Sequence, residues 1–353
     1  MNADRGEEHR NFASIPESKE NIPMAADDTI QVALAFRDYA RYAGVVMTSI
    51  FSHTKSRVHV TLLHDSMLTD ENRNRFEQTA ERWEQSVSFV DVGEEVLQIF
   101  ANPEARWPIY GRSTLYRLLI PNLLNIPWVI SLDCDIVVNL DIAELWAVSK
   151  QKEAQDAFFV AARNPPVDRA KYNWLVRWNS KICGWAMPPV LLDRSKLFNA
   201  GVLLMNLSRI REKRELVKEA SDFFKRYAHF ATNADNTFLC AAFSNDGDVF
   251  RVDERFNRCV DFYNIDNAIV HMAGAQPWKV FRDTPRDDLF WKTLAESEWR
   301  GDLLEMLRKR PIETYRASEG IRLIRSRISV YKDRFIAIIK ALFHFLCGPR
   351  TRS

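Results

Sequence analysis

The stretch WVISLDCDIVVNLDIAELW, residues 128–146, sets two aspartates, Asp133 and Asp135, at the end of an apolar run. Trp128, Val129, Ile130 and Leu132 read as a strand buried on both faces, and Ile136, Val137 and Val138 as a second short one. A buried strand ends where it meets solvent or ligand, so carboxylates at its end face one or the other. Residues two apart on an extended chain project to the same side, which lets Asp133 and Asp135 aim their oxygens at one point. Hard oxygens so arranged suit Mg²⁺ or Mn²⁺, ions typically held by one or two carboxylates with water and substrate phosphates completing the shell. An Asp-x-Asp pair alone is weak, and a second one, Asp246 and Asp248, occurs in SNDGDV. That copy follows no apolar strand and reads as a solvated turn.

Outward from this stretch, strand and helix signals alternate. QVALAF (31–36), RVHVTLLH (57–64) and SVSFVDV (86–92) read as strands, with a helical pattern from Tyr39 to Ser52. TDENRNRFEQTAERWEQ (69–85) opens on Thr69 as an N-cap with Asp70 and Glu71 in its first turn, a helix start. TLYRLLIPNLL (114–124) keeps helical spacing until Pro121. The alternation predicts an α/β fold with a mostly parallel, mixed sheet under helices, and ligand sites in such sheets lie beyond the carboxyl ends of strands. FNAGVLLMNLSRI (198–210) reads as a further strand whose small pair, Ala200 and Gly201, lets something approach the backbone. Residues 161–197 break the rhythm with two Pro-Pro pairs and Trp174, Trp178 and Trp185. So long an excursion is usually functional, its tryptophans serving either as sugar-stacking platforms or as anchors of a small satellite core.

Composition narrows the class. With 353 residues, 46% of them apolar, the chain can bury a large core, and a formal charge of +2 implies no nucleic-acid partner. The five cysteines are scattered without C-x-x-C spacing, which predicts neither disulfides nor a zinc site and fits a reducing, cytoplasmic setting. Residues 1–29 have no apolar signal core and read as a disordered tail. Nowhere do about 18 apolar residues run together as a membrane span needs. The segment 321–353 nevertheless mixes Ile, Leu and Phe with Arg and Lys around a single acidic residue, Asp333. This basic amphipathic pattern predicts an interfacial helix on anionic lipid, at the inner face of the cell membrane; a packed C-terminal helix is the alternative.

FNAGVLLMNL, TLYRLLIP, SLDCDIVV and IVHMAGAQPW, in their relative arrangement, resemble the retaining glycosyltransferases of family 8, over roughly residues 30–280. The resemblance implies the nucleotide-diphospho-sugar transferase (GT-A type) fold, a catalytic domain over 30–280 and a helical C-terminal region over 281–353. It implies that Asp133, Asp135 and His271 bind Mn²⁺ or Mg²⁺, a set that suits a neutral imidazole beside carboxylates. Without the family, His271 after Ile269 and Val270 would read as a core histidine. By the same resemblance Arg117, Asp133, Cys134, Asp135, Asn199, Ala200, Gly201 and Gly274 contact the donor. In NADNTFL (233–239), Asp235 binds donor-sugar hydroxyls and Asn236 takes the position of a family glutamine beside the reacting carbon.

Three departures from the family pattern stand out. At the uracil-reading aspartate the chain has Phe36, with Asp38 two residues on, so Phe36 is expected to stack on the base with loose selectivity. HMAGAQPW shortens the family's His-x-x-Gly-x-x-Lys-Pro-Trp and puts Gln276 before Pro277, so the phosphate-neutralising lysine is either shifted to Lys279 or missing. Asn236 is one methylene shorter than glutamine. Together these readings predict a metal-dependent retaining hexosyltransferase moving galactose or glucose from a UDP-hexose to a bacterial glycan or glycolipid acceptor, such as lipopolysaccharide core. Retention implies either attack on the leaving-group face or a covalent intermediate, for which Asp235 is the candidate carboxylate. A sugar-nucleotide pyrophosphorylase would need a Gly-rich loop after the first strand, which ALAFRDYARY lacks. A non-catalytic glycan-binding relative is the other rival, supported by Phe36 and Gln276.

Overall fold

The computed structural model of the chain describes residues 29–93, 112–163, 196–227, 234–259, 261–273, 276–279 and 282–309. Strands β1 (Ile30–Ala35), β2 (Val58–His64), β3 (Ser86–Asp91), β4 (Trp128–Leu132), β6 (Phe159–Ala162), β7 (Val202–Asn206) and β8 (Val249–Val252) form a seven-stranded sheet in the order β3-β2-β1-β4-β7-β6-β8. The pairs β3-β2, β2-β1, β1-β4 and β6-β8 are parallel, and β7 runs antiparallel to both neighbours. The sheet is thus mixed and mostly parallel, as the alternation predicts. Strands β5 (Ile136–Asn139) and β9 (Ala268–His271) make a separate antiparallel pair.

The central strands are mostly apolar on both faces because both faces are covered. Val32, Leu34, Ile130, Leu132, Val202 and Leu204 point into one core, whereas Ala33, Val129, Leu203 and Met205 point into another. That is the two-residue period of a strand read against two helical layers. Helix α1 (Ala40–His53) fills the first core, and α2 (Asp70–Arg82) begins at Thr69, whose side chain accepts from the Asn72 amide. The turn Arg112–Leu119 and the helices Leu216–Tyr227 and Ala234–Ala242 cover the other side.

Two elements differ from their sequence reading. The expected strand over 198–210 is only β7, because side-chain amides take the backbone N–H groups on either side of it. Asn236 and Asn199 accept from Ala200 and Gly201, and Asn206 accepts from Arg209 to cap the helix Leu207–Lys213. In the segment 114–124, Pro121 lies in the first turn of the short helix Ile120–Leu123, where its missing N–H costs nothing.

Beyond residue 280, the helix Pro285–Glu296 and the turn at Arg300–Asp302 close the first core instead of standing apart. Trp299 is buried with its ring 4.8 Å from Phe76, and its indole N–H donates to Asn72 at 3.0 Å. A Cβ at Gly44 of α1 would stand 2.1 Å from that ring, so glycine is required for the tryptophan to seat. Of the aromatic excursion over 161–197, Ala161 and Ala162 close β6, whereas residues 164–195 with Trp174, Trp178 and Trp185, the N-terminal tail through residue 28 and the basic segment 321–353 lie outside the described residues.

Candidate active site

Asp133 follows β4, and its N–H donates to the Gly201 carbonyl at 2.8 Å, extending the β4-β7 ladder by one bond. Asp135 precedes β5, whose partner β9 sets His271 opposite Ile136; the Met272 N–H closes on the Asp135 carbonyl at 2.7 Å. Two ladders meeting at one dipeptide step therefore bring Asp133, Asp135 and His271 together across 136 positions of sequence. Each of the three offers a ligand atom, and those atoms all lie within 4.8 Å of one another. The imidazole Nε2 is 3.1 Å from Asp135 Oδ1 and 3.7 Å from Asp133 Oδ2. Gly201 is what lets the ring in: a Cβ there would stand 2.2 Å from His271 Cε1. The close approach expected at Ala200 and Gly201 is thus made by the histidine itself.

Two carboxylates and an imidazole nitrogen converging at the carboxyl edge of the sheet fit a divalent ion such as Mn²⁺ or Mg²⁺ by donor type. The same atoms pair with each other. Burial opposes the charged imidazole, yet the Asp135 carboxylate outweighs it and raises the His271 pKa well above its ordinary value. Burial likewise opposes the Asp135 carboxylate, and the histidine charge together with hydrogen bonds from His271 and Gln276 overrides it to lower that pKa.

Beside this trio lies a buried guanidinium. Arg117, on the turn Arg112–Leu119, donates from Nε to Ser131 Oγ at 3.1 Å and from Nη1 to Asp235 Oδ2 at 2.6 Å. Its Nη2 pairs with Asp133. Far from being a solvent-exposed pair worth little, this is a charge held between two carboxylates at 4% exposure. Burial pushes the pKa of Asp235 up to about 6, with the Asp133 charge adding to the rise and Arg117 opposing it.

Several expected donor contacts fall differently. Phe36 does not reach the site: it is fully buried, with its ring 5.5 Å from Phe76, because β1 carries it into the core as it carries Val32 and Leu34. A stacking role for Phe36 is therefore corrected. Asp38, two residues on, is exposed. The Cys134 side chain also turns inward, its thiol 3.4 Å from the Ala35 carbonyl, which leaves only main chain to meet a ligand. Asn236 spends its carbonyl on the Ala200 N–H at 2.6 Å instead of presenting it to the site. Lys279 is exposed, and Gln276 donates to Asp135 Oδ2 at 3.1 Å, so the residue at the family lysine position touches a candidate metal ligand. Gly274 lies outside the described residues.

The geometry adds residues that the sequence reading passed over. Ser131, a lone hydroxyl in an apolar strand, could have been flagged on that ground. Tyr39 has its phenol pKa raised by burial and then by the charges of Asp38 and Asp135. Its ring lies 4.8 Å from Tyr42, which in turn stacks on Trp278 at 4.1 Å. The other Asp-x-Asp pair is a turn as expected: Gly247 has φ +89°, Asp246 pairs with Lys196, and Asp248 accepts from the Asn245 N–H.

This chain belongs to glycosyl transferase family 8, whose description matches residues 31–280. It is 24% identical over 220 residues to a Haemophilus influenzae protein that its name assigns provisionally to the glycosyltransferases, covering 62% of this chain and 60% of that one. It is 22% identical over 200 residues to General stress protein A of Bacillus subtilis, covering 56% and 62%. The match thus spans about three fifths of the length of these relatives. Among solved structures, the galactosyltransferase LgtC in complex with donor and acceptor sugar analogues superposes with a TM-score of 0.58 at 21% identity, over 77% of this chain and 99% of that one. The apo WbbM bifunctional glycosyltransferase gives 0.59 at 17% identity, over 81% and 53%. At such identities the likeness establishes the fold, the GT-A type.

Proposed function

We propose that the protein is a divalent-metal-dependent, retaining hexosyltransferase that moves galactose or glucose from a UDP-sugar to a bacterial surface glycan such as lipopolysaccharide core. The observation that carries this reading is the convergence of Asp133, Asp135 and His271 with the buried Arg117–Asp235 pair at the carboxyl edge of a family 8 sheet. Residues 30–280 hold this site and form the catalytic domain in this reading. The name of LgtC, a galactosyltransferase caught with donor and acceptor sugar analogues, supports the substrate class.

Cleaving a sugar–phosphate bond builds negative charge on the leaving diphosphate and positive charge on the sugar ring. Asp133, Asp135 and His271 would hold a divalent ion, whose chemistry there would be Lewis-acid stabilisation of the former. Asp235 accepts hydrogen bonds from the donor sugar, and Arg117 keeps both Asp235 and Asp133 oriented for their tasks. A carboxylate oxygen gripped by a guanidinium at 2.6 Å is a poor nucleophile, which favours acceptor attack on the leaving-group face over a covalent intermediate on Asp235. With Phe36 in the core, recognition of the base falls to groups beyond β1, the exposed Asp38 and the half-buried Tyr39 among them. The basic segment 321–353 would hold the enzyme to anionic lipid at the cytoplasmic face, next to a lipid-linked acceptor.

The test is release of UDP from UDP-galactose and UDP-glucose in Mn²⁺, with and without glycan acceptor. Metal-dependent release that rises with acceptor supports the transferase. Full activity in excess chelator refutes the metal dependence, and donor binding without any turnover identifies a non-catalytic relative.

A further inference from the structure

We propose that Asn257 sets the tautomer of His271, and that Asn199 in turn sets Asn257, forming a relay of two amides from the main chain to the candidate metal ligand. The relay deepens the metal reading above and rests on it for its consequence in catalysis. Asn257 ends the short turn Glu254–Asn257, is 4% exposed, and carries no motif that marks it in the sequence.

The two ends of an amide differ only in what they can donate or accept, so their orientation follows from their partners. The Gly201 N–H, which can only donate, lies 2.8 Å from Asn199 Oδ1 and fixes that atom as an oxygen. Asn257 Nδ2 lies 2.9 Å from Asn199 Oδ1 and 3.2 Å from the Asn199 main-chain carbonyl. Both of these accept, so the Asn257 atom facing them must be its NH₂ group. Its other end, Oδ1, is then 2.9 Å from His271 Nδ1, and an amide oxygen cannot donate. The ring hydrogen therefore sits on Nδ1. In the neutral imidazole this leaves the Nε2 lone pair facing Asp133 and Asp135, the arrangement a metal ligand needs.

A competitor makes the relay necessary. Asp135 Oδ1, 3.1 Å from Nε2, is a charged acceptor that would draw a single ring hydrogen to Nε2 and so block the ligating nitrogen. Only an acceptor on the opposite side counters this, and Asn257 Oδ1 is that acceptor. Cys259 cannot replace it, since a thiol at 3.5 Å from Nδ1 is a weak donor; its sulfur also lies 3.2 Å from the same Asn257 oxygen. Asn257 and Asn199 are positioning residues in this scheme, acting through His271. Asn199 thereby joins the Asn-Ala-Gly segment to the metal centre as well as to the donor.

The test uses full-length protein, Asn257→Leu and Asn257→Asp, with two measurements. Nitrogen NMR of the His271 ring, in metal-free protein at a pH where the ring is neutral, reads the tautomer directly. Titration with Mn²⁺ alone reads affinity. Wild type should show Nδ1 protonated and Nε2 bare. Asn257→Leu should reverse them and weaken Mn²⁺ binding by about 10- to 100-fold, the usual effect of losing an outer-shell partner. Asn257→Asp, which still accepts but cannot donate to Asn199, should keep the wild-type tautomer and bind Mn²⁺ no more weakly than wild type. A wild-type ring protonated at Nε2 overturns the relay even if Asn257→Leu fails to fold. So does an Asn257→Leu ring with unchanged tautomer, or an Asn257→Asp protein as weak as Asn257→Leu. A wild-type protein with the assigned tautomer and no Mn²⁺ uptake upholds the relay and refutes the metal reading of the site.

Discussion

At the scale of single residues, the site is a set of charges that neutralise one another until a ligand arrives. The Asp135 carboxylate raises the His271 pKa, so near neutral pH the ring carries a second proton, on Nε2 facing Asp135, and an ion that takes Nε2 must displace it. Mn²⁺ binding near neutral pH is accordingly expected to release about one proton, measured by calorimetry in buffers of different ionisation enthalpy. Proton release that is unaffected by His271→Gln would exclude this account. Asp133→Ala and Asp135→Ala should abolish transfer and metal-dependent donor binding while unfolding stays cooperative, because neither side chain belongs to the core. Asp235 titrates in the field of Arg117 and Asp133. With its pKa up at about 6, the folded protein holds a proton that the unfolded chain releases nearer pH 4. Its contribution to stability is therefore full below the unfolded value and is lost as pH rises through about 6. Function runs the other way, since a donor-binding carboxylate must be ionised: kcat/KM should fall by one proton as pH drops below about 6, and Asp235→Asn should erase that limb of the profile.

At the scale of elements, two glycines decide how neighbouring pieces meet. Gly201 lies where the β4-β7 ladder runs out, and the absence of its side chain is what admits the His271 ring from β9. Gly201→Ala should therefore cost Mn²⁺ affinity and activity together, with a change in stability of only about 1 to 3 kcal/mol for the local overpacking. A Gly201→Ala enzyme with normal metal binding would show that the ring can sit elsewhere. Gly44 plays the same part for Trp299, where the neighbour is a fully buried indole with a bond to α2. Trp299→Ala should destabilise by about 3 to 5 kcal/mol in denaturant unfolding, because it empties the junction of α1, α2 and the helix Pro285–Glu296. A much smaller loss would mean that this helix docks only loosely.

At the scale of the whole molecule, the family match ends at residue 280, and the chain that follows packs into the same core. The helix Pro285–Glu296 and Trp299 belong to the core under β1 and β4, so a truncation inside 285–302 should unfold the catalytic domain. Removal of 321–353 should leave donor hydrolysis nearly unchanged. It should release the protein from vesicles of anionic lipid, an attraction of about 1 kcal/mol per basic residue that high salt weakens. Full-length protein that ignores such vesicles at low salt would refute the membrane role. Among the described residues no helix is long and apolar enough to cross a membrane.

Much of this molecule was legible in the sequence, because burial on two faces leaves an unbroken apolar run and a carboxylate at its end is conspicuous. β1, β2, β3 and β4, the cap at Thr69 and the Asp133–Asp135 pair come from local physics alone, and the motif order carried His271 and Asp235. Tertiary structure decided what local pattern leaves ambiguous. Phe36 continues a strand into the core, so its aromatic face never meets a base, and no single-residue signal separates those two fates. The motif assigns Arg117 to the donor, but only the fold shows that it is buried between Asp133 and Asp235. Asn257 has no signal at all, because a hydrogen bond between residues 14 apart exists only once β9 and the turn Glu254–Asn257 are side by side. Periodicity records which face of an element is wet, and it is blind to which polar atoms from distant segments will find each other in the space between.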